Sequence, residues 1–494
     1  MKNITNYIRP LILSGLFFLT FGCKKTLDIN VDPNNPPIET ASPEVLLPSA
    51  IMSTAGRVGG DLAILGGIWS QYWTQAFASN QYKTIDAYNL TRTDFTGAYD
   101  QLYAGALADY QLAISKAQAS GDWRYNLMAT VMKAYTYQVL VDVYDKLPYT
   151  EAFQGSANLQ PKYDDGYFIY QALLTEINAA LAKDFTTVPL TSSQKKGDFL
   201  FNGDMDLWVQ FANTLKLKMY LRMVNAKPAE AEAGIRGLYT AGAKFLSVGA
   251  GIAKFEDSPN NSNPMYEMNV RRLNTTTNLR ASYTFTSWLI DNEDPRASAY
   301  FGSASPIGQN QGDFAATQQE QPTYANASVA AQKATDPVWF ISDSESFFMQ
   351  AEALERYFGG AGAEALYDKG VQASFTASGA SSDGFVGTTG LYAYPVAGNF
   401  ETKLEAIITQ KWASLPGSHA LEAFFEQQRT GYPVTSPIYS TVAGYIPGQW
   451  VYARNGVTGA GRFPKRLVWP ASSRDRNVNV PTEVPIYVKV WWGK

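Results

Sequence analysis

The chain has one histidine, His419, and one cysteine, Cys23, which closes most routes to covalent or metal chemistry. Zinc sites are built from several His and Cys ligands, and a Ser-His-Asp or Cys-His apparatus would have to turn on His419. That residue lies in Pro-Gly-Ser-His-Ala-Leu-Glu, which reads as the turn opening a helix. The glycine groups Gly59-Gly60, Gly66-Gly67 and Gly456 to Gly461 are not followed by Lys-Ser or Lys-Thr, so none forms a phosphate loop. No cofactor or metal is expected. Aromatic residues are plentiful instead, with 11 Trp, 30 Tyr and 26 Phe. Rings with few rotatable bonds provide contact area at low entropic cost, so this composition points to binding by stacking.

Two stretches set aromatics beside amides and charge, outside any helical stripe. The first is Trp69 to Tyr82, with Trp73, Asn80, Gln81 and Tyr82 towards its loop end. The second runs Asn263-Pro-Met-Tyr-Glu-Met-Asn-Val-Arg-Arg and contains Tyr266 and Arg271. Rings can cover an apolar face of a ligand, and amides and Arg can bond a polar rim. These six residues are therefore the candidate ligand contacts. Tyr82, Tyr266 and Arg271 lie in polar company, whereas a core position is the equal alternative for Trp73. Trp69 and Trp339 read as packing residues, and Asp32 to Asn35 as a turn rather than calcium ligands.

The elements that must position these residues follow an export signal. Lys2 and Arg9 precede an apolar run, Leu11 to Phe21, that is too short to span a bilayer. Gly22-Cys23 follows directly, which resembles a bacterial lipoprotein signal, although Thr20 stands where such signals usually carry Leu. Cleavage would leave Cys23 as the acylated N-terminus and anchor the protein on a membrane; an ordinary secreted protein is the alternative. Losing the leader takes the formal charge from −4 to near −6, which argues against a nucleic-acid partner.

Residues 24–48, rich in Pro and Asn, read as a tether. Helical stripes follow. Phe95 to Ala119 carries Tyr99, Leu102, Tyr103, Ala106, Tyr110, Ala113 and Ile114, and is joined to Trp123–Tyr144 across Gly121-Asp122. Asp165–Lys183 is expected to pair with Met205–Met223, Ser344–Phe358 with Glu364–Phe375, and Glu401–Leu415 with Ala420–Arg429. Between Lys227 and Trp339 only a helix near Leu279 to Leu289 is expected, and Gly302 to Tyr324 reads as mobile. The end, Val434 to Lys494, lacks helical periodicity and holds Trp450, Phe463, Trp469, Trp491 and Trp492. Long loops on a helical frame are where binding is expected.

Taken in order, several strings resemble the SusD/RagB family of outer-membrane nutrient-binding lipoproteins, in its second, SusD-like branch. They are Cys23 with Leu27-Asp-Ile-Asn-Val-Asp-Pro-Asn-Asn-Pro36, Leu140-Val-Asp-Val-Tyr-Asp-Lys-Leu-Pro-Tyr149, and Trp208-Val-Gln-Phe-Ala-Asn-Thr-Leu-Lys-Leu-Lys218. Asp294-Pro-Arg296, Ser346-Phe-Phe-Met-Gln-Ala-Glu352, Gln410-Lys-Trp412, Arg429-Thr-Gly-Tyr-Pro433 and Pro464-Lys-Arg-Leu467 follow. The departures are Tyr144-Asp145 where the family has Phe-Gly, and Gln428-Arg429 where it has paired arginines.

The resemblance implies a mostly α fold, in which four tetratricopeptide-like helix pairs carry a loop-rich ligand-binding part with little β. It divides the chain into a signal peptide at 1–22, a lipidated N-terminus and tether at 23–48, and one SusD-like domain at 49–494. In that domain the helical pairs fall at about 97–224 and 343–430, and the loop-rich part at about 227–342 and 431–494. It implies a protein that is not an enzyme, lies on the outer membrane facing outward, and captures oligosaccharides for a TonB-dependent SusC-like transporter. Peptides or other nutrients are the competing cargo. The quoted strings would be mostly scaffold, with ligand contacts drawn from N-terminal and middle loops. An exported glycoside hydrolase would need two carboxylates across one cleft, which no short motif proposes; a purely structural surface protein is a third reading.

Overall fold

The long stripes expected from the sequence become helices with well-defined ends. The computed structural model of the chain describes residues 41–494; Cys23, the signal and most of the tether lie outside the described residues. The expected tether reaches residue 48, yet helix α1 (Pro43–Val58) already begins at Pro43. A proline at the first helical position gives up an N–H that would have no partner there, and Leu46 and Leu47 are buried. Helix α2 (Asp61–Trp69) follows. Its Gly66 and Gly67 are packing residues, because a Cβ at either would overlap the backbone of Leu421 or the ring of Trp73.

The expected helix from Phe95 is α3 (Thr96–Leu102), a π-helical turn (Tyr103–Leu107) and α4 (Ala108–Ser120). It ends at Gly121, whose φ of 73° favours glycine. Helix α5 (Trp123–Tyr144) starts at Asp122, whose side chain accepts from the Tyr125 N–H. Every residue of α5 from Tyr125 to Tyr144 is buried, as befits a helix enclosed on all sides. Helices α6 (Gly166–Leu181) and α7 (Met205–Met223) both lie against α5. They meet each other less extensively than expected for a simple hairpin; α6 packs chiefly on α5, and α7 on α8 (Pro228–Thr240) and α5. The sequence reading missed α8, an Ala- and Glu-rich helix with Pro at its start and a stripe of Ala231, Ile235 and Leu238.

Helix α9 (Tyr283–Asp291) occupies the middle region. The second scaffold block is α10 (Asp343–Tyr357), α11 (Ala363–Ala377), α12 (Phe400–Ser414) and α13 (Ala420–Thr430). Helices α10 and α11 form a close pair, and α13 returns to pack on α2. Strands are few and short. β1 (Trp73–Gln75) pairs antiparallel with β5 (Leu279–Ala281), β2 (Leu147–Pro148) with β3 (Tyr163–Asp164), and β4 (Ala250–Ile252) with β6 (Val338–Ile341). The fold is thus mostly α, with little sheet, and residues 43–494 form one compact unit.

The two helical blocks are joined by a buried ionic network. Arg222 on α7 reaches Asp142 on α5 (3.1 Å), and Glu422 and Glu426 on α13 (2.8 Å each). Lys218 pairs with Glu345 (3.0 Å) and Glu422 (2.9 Å), while Arg429 takes Glu352 at 2.6 Å and also Glu426. Lys411 lies among Glu345, Glu422 and Glu426. Four buried bases thus face five buried acids, and the partly buried Arg356 on Glu352 supplies the remaining positive charge. Burial alone would raise the Glu426 carboxyl, but Arg429, Lys411 and Arg222 hold it well below the usual range. The quoted strings supply Asp142, Lys218, Glu352, Lys411 and Arg429 to this network. Asp294-Pro-Arg296 closes a second buried pair at 2.6 Å, with Arg296 also donating to Ser374 and Gln410. These residues belong to the frame.

Candidate functional site

The loops around the frame are ordered by buried polar strips. Residues 309–314, expected to be mobile, are in fact largely buried. The Gln309 side chain donates to the Gln75 carbonyl (2.6 Å), and Gln311 donates to the Asp86 carboxylate (2.8 Å). Asp86 also accepts from the Thr74 hydroxyl (2.6 Å) and the Gln75 N–H (2.9 Å). A polar sequence here fills a polar interior, so composition alone misjudged it.

The segment after α13 is fastened to that strip. Trp450 N–H donates to the Val434 carbonyl and Ser436 N–H to the Trp450 carbonyl, closing a loop over a buried Trp450. Tyr439 donates its hydroxyl to the Gln311 carbonyl (2.7 Å), Ser440 to the Asn310 side chain (2.7 Å), and Asn455 to the Gly312 carbonyl (2.8 Å). Between these ties lies a cleft of about 550 Å³, lined by Thr435, Ser436, Tyr439, Thr441, Tyr452, Arg454 and Phe463 among others. Tyr452 is packed edge-on to Tyr88 (5.5 Å between centroids) and to Phe463 (6.0 Å). Arg454 stands 4.9 Å over the Tyr439 ring, with Nη1 3.4 Å from both oxygens of Asp313. Among the described residues, those lining this cleft include rings, hydroxyls and one guanidinium but no carboxylate. This is a ligand-sized, mixed surface, suited to covering a ring face while bonding its rim.

A larger cleft, about 580 Å³, lies between α1 and the middle loop, with Phe199, Arg57, Gln101, Lys254, Glu256 and Glu267 in its wall. A third, about 320 Å³, is mostly apolar and includes Tyr99, Tyr103, Phe153 and Tyr163.

None of the six candidate residues lines any of these clefts. Trp73 and Tyr82 are buried, contrary to a role as solvent-facing stacking platforms. Trp73 lies in β1 against Gly67, and the Tyr82 N–H donates to the Gln75 side chain. Asn80 and Gln81 are exposed. They precede Lys83, whose ammonium stands 5.3 Å from the ring of Phe314, next in the chain to Asp313. Tyr266 is half-buried, and Arg271 lies over its ring (5.4 Å) while pairing with Asp257 and Glu267. Neighbours of that pair, Pro264, Glu267, Met268 and Arg272, line the larger cleft instead. His419 is buried among Lys218, Lys411 and Glu422; burial pushes its imidazole down to about 3, so it is neutral. Tyr439, Tyr452 and Arg454 carry no signal of exposure in a segment whose tryptophans stand out, and of these Trp450, Trp469 and Trp492 are core residues.

A family model described as SusD-like, starch-binding and associating with the outer membrane matches residues 34–452. The chain belongs to the SusD-like family. Its fold matches a SusD homologue from Bacteroides uniformis over 91% of this chain and 99% of that one, at 22% identity and a TM-score of 0.74. A chitin-binding SusD homologue from Flavobacterium johnsoniae matches over 90% and 98%, at 20% identity and a TM-score of 0.71. A SusD-like protein from Bacteroides thetaiotaomicron gives 90% and 98%, 21% and 0.71. No curated protein matches. Members of this family serve in nutrient binding at the outer membrane, and no helix among the described residues is long and apolar enough to cross a membrane.

Proposed function

We propose that this SusD-like protein is a non-catalytic surface receptor that captures oligosaccharides and passes them to a TonB-dependent SusC-like transporter, held at the membrane by lipid on Cys23. The observation that carries the reading is the cleft of Tyr439, Tyr452, Phe463 and Arg454, ringed by Thr435, Ser436 and Thr441, in a member of a starch-binding family. Membership of a family of binding proteins supports capture without hydrolysis. The chitin-binding relative supports a glycan over a peptide. Modest affinity per site suits a receptor for polymers, because several sites on one chain raise the overall grip.

The test is a glycan array probed with the labelled full-length protein in detergent, alongside a peptide library, followed by an assay for new reducing ends on each bound glycan. Binding to glycans with no new ends is the expected result. Peptide binding alone, or release of reducing ends, overturns the proposal.

A further inference from the structure

The charge around the cleft differs from that of the chain. The protein is acidic overall, yet no Asp or Glu occurs between Glu426 and Asp475, a span that holds Arg429, Arg454, Arg462, Lys465, Arg466 and Arg474. Arg429 and Arg466 are buried in the frame, but Arg454 and Arg462 are exposed at the cleft. Arg454 lines it with its side chain 45% exposed. Arg462 lies between two lining residues, Gly461 and Phe463, and is braced by the Gly459 and Thr458 carbonyls and by the Tyr487 ring. Lys83 stands beside Phe314 on the adjoining strip.

The acids nearby are already engaged. Asp313 is buried and accepts from the Tyr324 hydroxyl at 2.8 Å. Glu320 accepts from the Thr317 N–H and hydroxyl, both at 2.9 Å. The contact of Arg454 with Asp313 is long, at 3.4 Å and through Nη1 alone. Its Nε and Nη2 make no hydrogen bond among the described residues. A planar guanidinium with two free donor groups, held by stacking on a tyrosine, is matched to a carboxylate. An exposed lysine or a fully paired arginine would not give that geometry.

We infer that the cleft selects acidic oligosaccharides, uronate-bearing ones, with Arg454 as the carboxylate partner and Tyr439 and Tyr452 covering the sugar rings. This rests on the receptor reading above and narrows its cargo. The exposed cations Lys83 and Arg462 add attraction that salt screens within about 10 Å at 0.1 M.

The test uses full-length protein in detergent and a panel of uronate oligomers: galacturonate, mannuronate and glucuronoxylan. Each is paired with its carboxyl-reduced counterpart, which keeps the ring and linkage and removes the charge. The expected result is that at least one acid binds about tenfold or more tighter than its reduced partner, that added salt closes the gap, and that Arg454→Gln weakens the acid far more than its reduced partner, so that the preference disappears. Equal or tighter binding of the reduced partners overturns the inference, as does Arg454→Gln weakening both members alike. Binding to neutral glycans but to no uronate also overturns it, while the receptor reading stands. Failure to bind any glycan overturns the receptor reading itself.

Discussion

Asp86 is the residue through which the cleft's supporting strip can be tested quantitatively. It is fully buried, with Thr74, Gln75 and Gln311 donating to it and no cation paired with it among the described residues. Burial pushes its carboxyl up from the ordinary 3.8 to about 6, against the pull of those hydrogen bonds. The folded chain therefore keeps this proton to higher pH than the unfolded chain. The stability that the protonated form contributes is fully present below 3.8 and is lost as pH rises through about 6. At 1.36 kcal/mol per pH unit the whole loss is about 3 kcal/mol, of which about 2 kcal/mol falls between pH 4.5 and 7. Asp86→Asn removes the titration but turns one acceptor into a donor, which costs about 1–3 kcal/mol relative to the protonated wild type. The variant should thus be clearly less stable than the wild type near pH 4.5 and close to it at pH 7. Urea unfolding of both proteins across this range measures the difference directly, with the other titrating groups common to both. A stability gap that stays constant from pH 4.5 to 7 would refute the reasoning.

Other perturbations address the frame and the anchor. Arg429→Met leaves the buried network one positive charge short, with Glu352 keeping only Arg356 and Glu426 keeping Arg222 and Lys411, and should cost about 3–5 kcal/mol in denaturant unfolding; a change below 1 kcal/mol would show that the network is not needed for stability. Trp73→Ala should cost about 3–5 kcal/mol as a core truncation and leave glycan affinity of the folded protein unchanged; wild-type stability with lost binding would restore Trp73 as a ligand contact. Cys23→Ser should move the protein from the membrane fraction to the soluble fraction, and retention in the membrane would contradict lipid anchoring.

The frame was legible because amphipathic helices announce themselves. The stripe of Tyr110, Ala113, Ile114 and Ala117 is the buried face of α4, and Asp122, Asp204 and Ser342 cap the helices that follow them. Helix α8 was missed because its stripe is short and lies in an otherwise loop-rich region. The site was less legible because exposure is not a property of residue type. Trp73 and Tyr82 sit near amides in sequence, but β1 and its pairing with β5 draw that segment inside. The polar residues 309–314 read as surface because their partners, Gln75 and Asp86, lie far away in the chain. The span without acids after Glu426 was the available signal for the cleft, and it acquires meaning only once Arg454 is placed over Tyr439.

The most direct measurement is a binding isotherm, on the best glycan from the array, for wild type and for Tyr439→Ala/Tyr452→Ala, with circular dichroism confirming that both are folded. Removing two stacking rings at about 1 kcal/mol each should weaken binding by tenfold or more, with the glycan recovered intact from both. Undiminished affinity in the folded double variant, or a cleaved glycan after incubation with the wild type, would contradict the account.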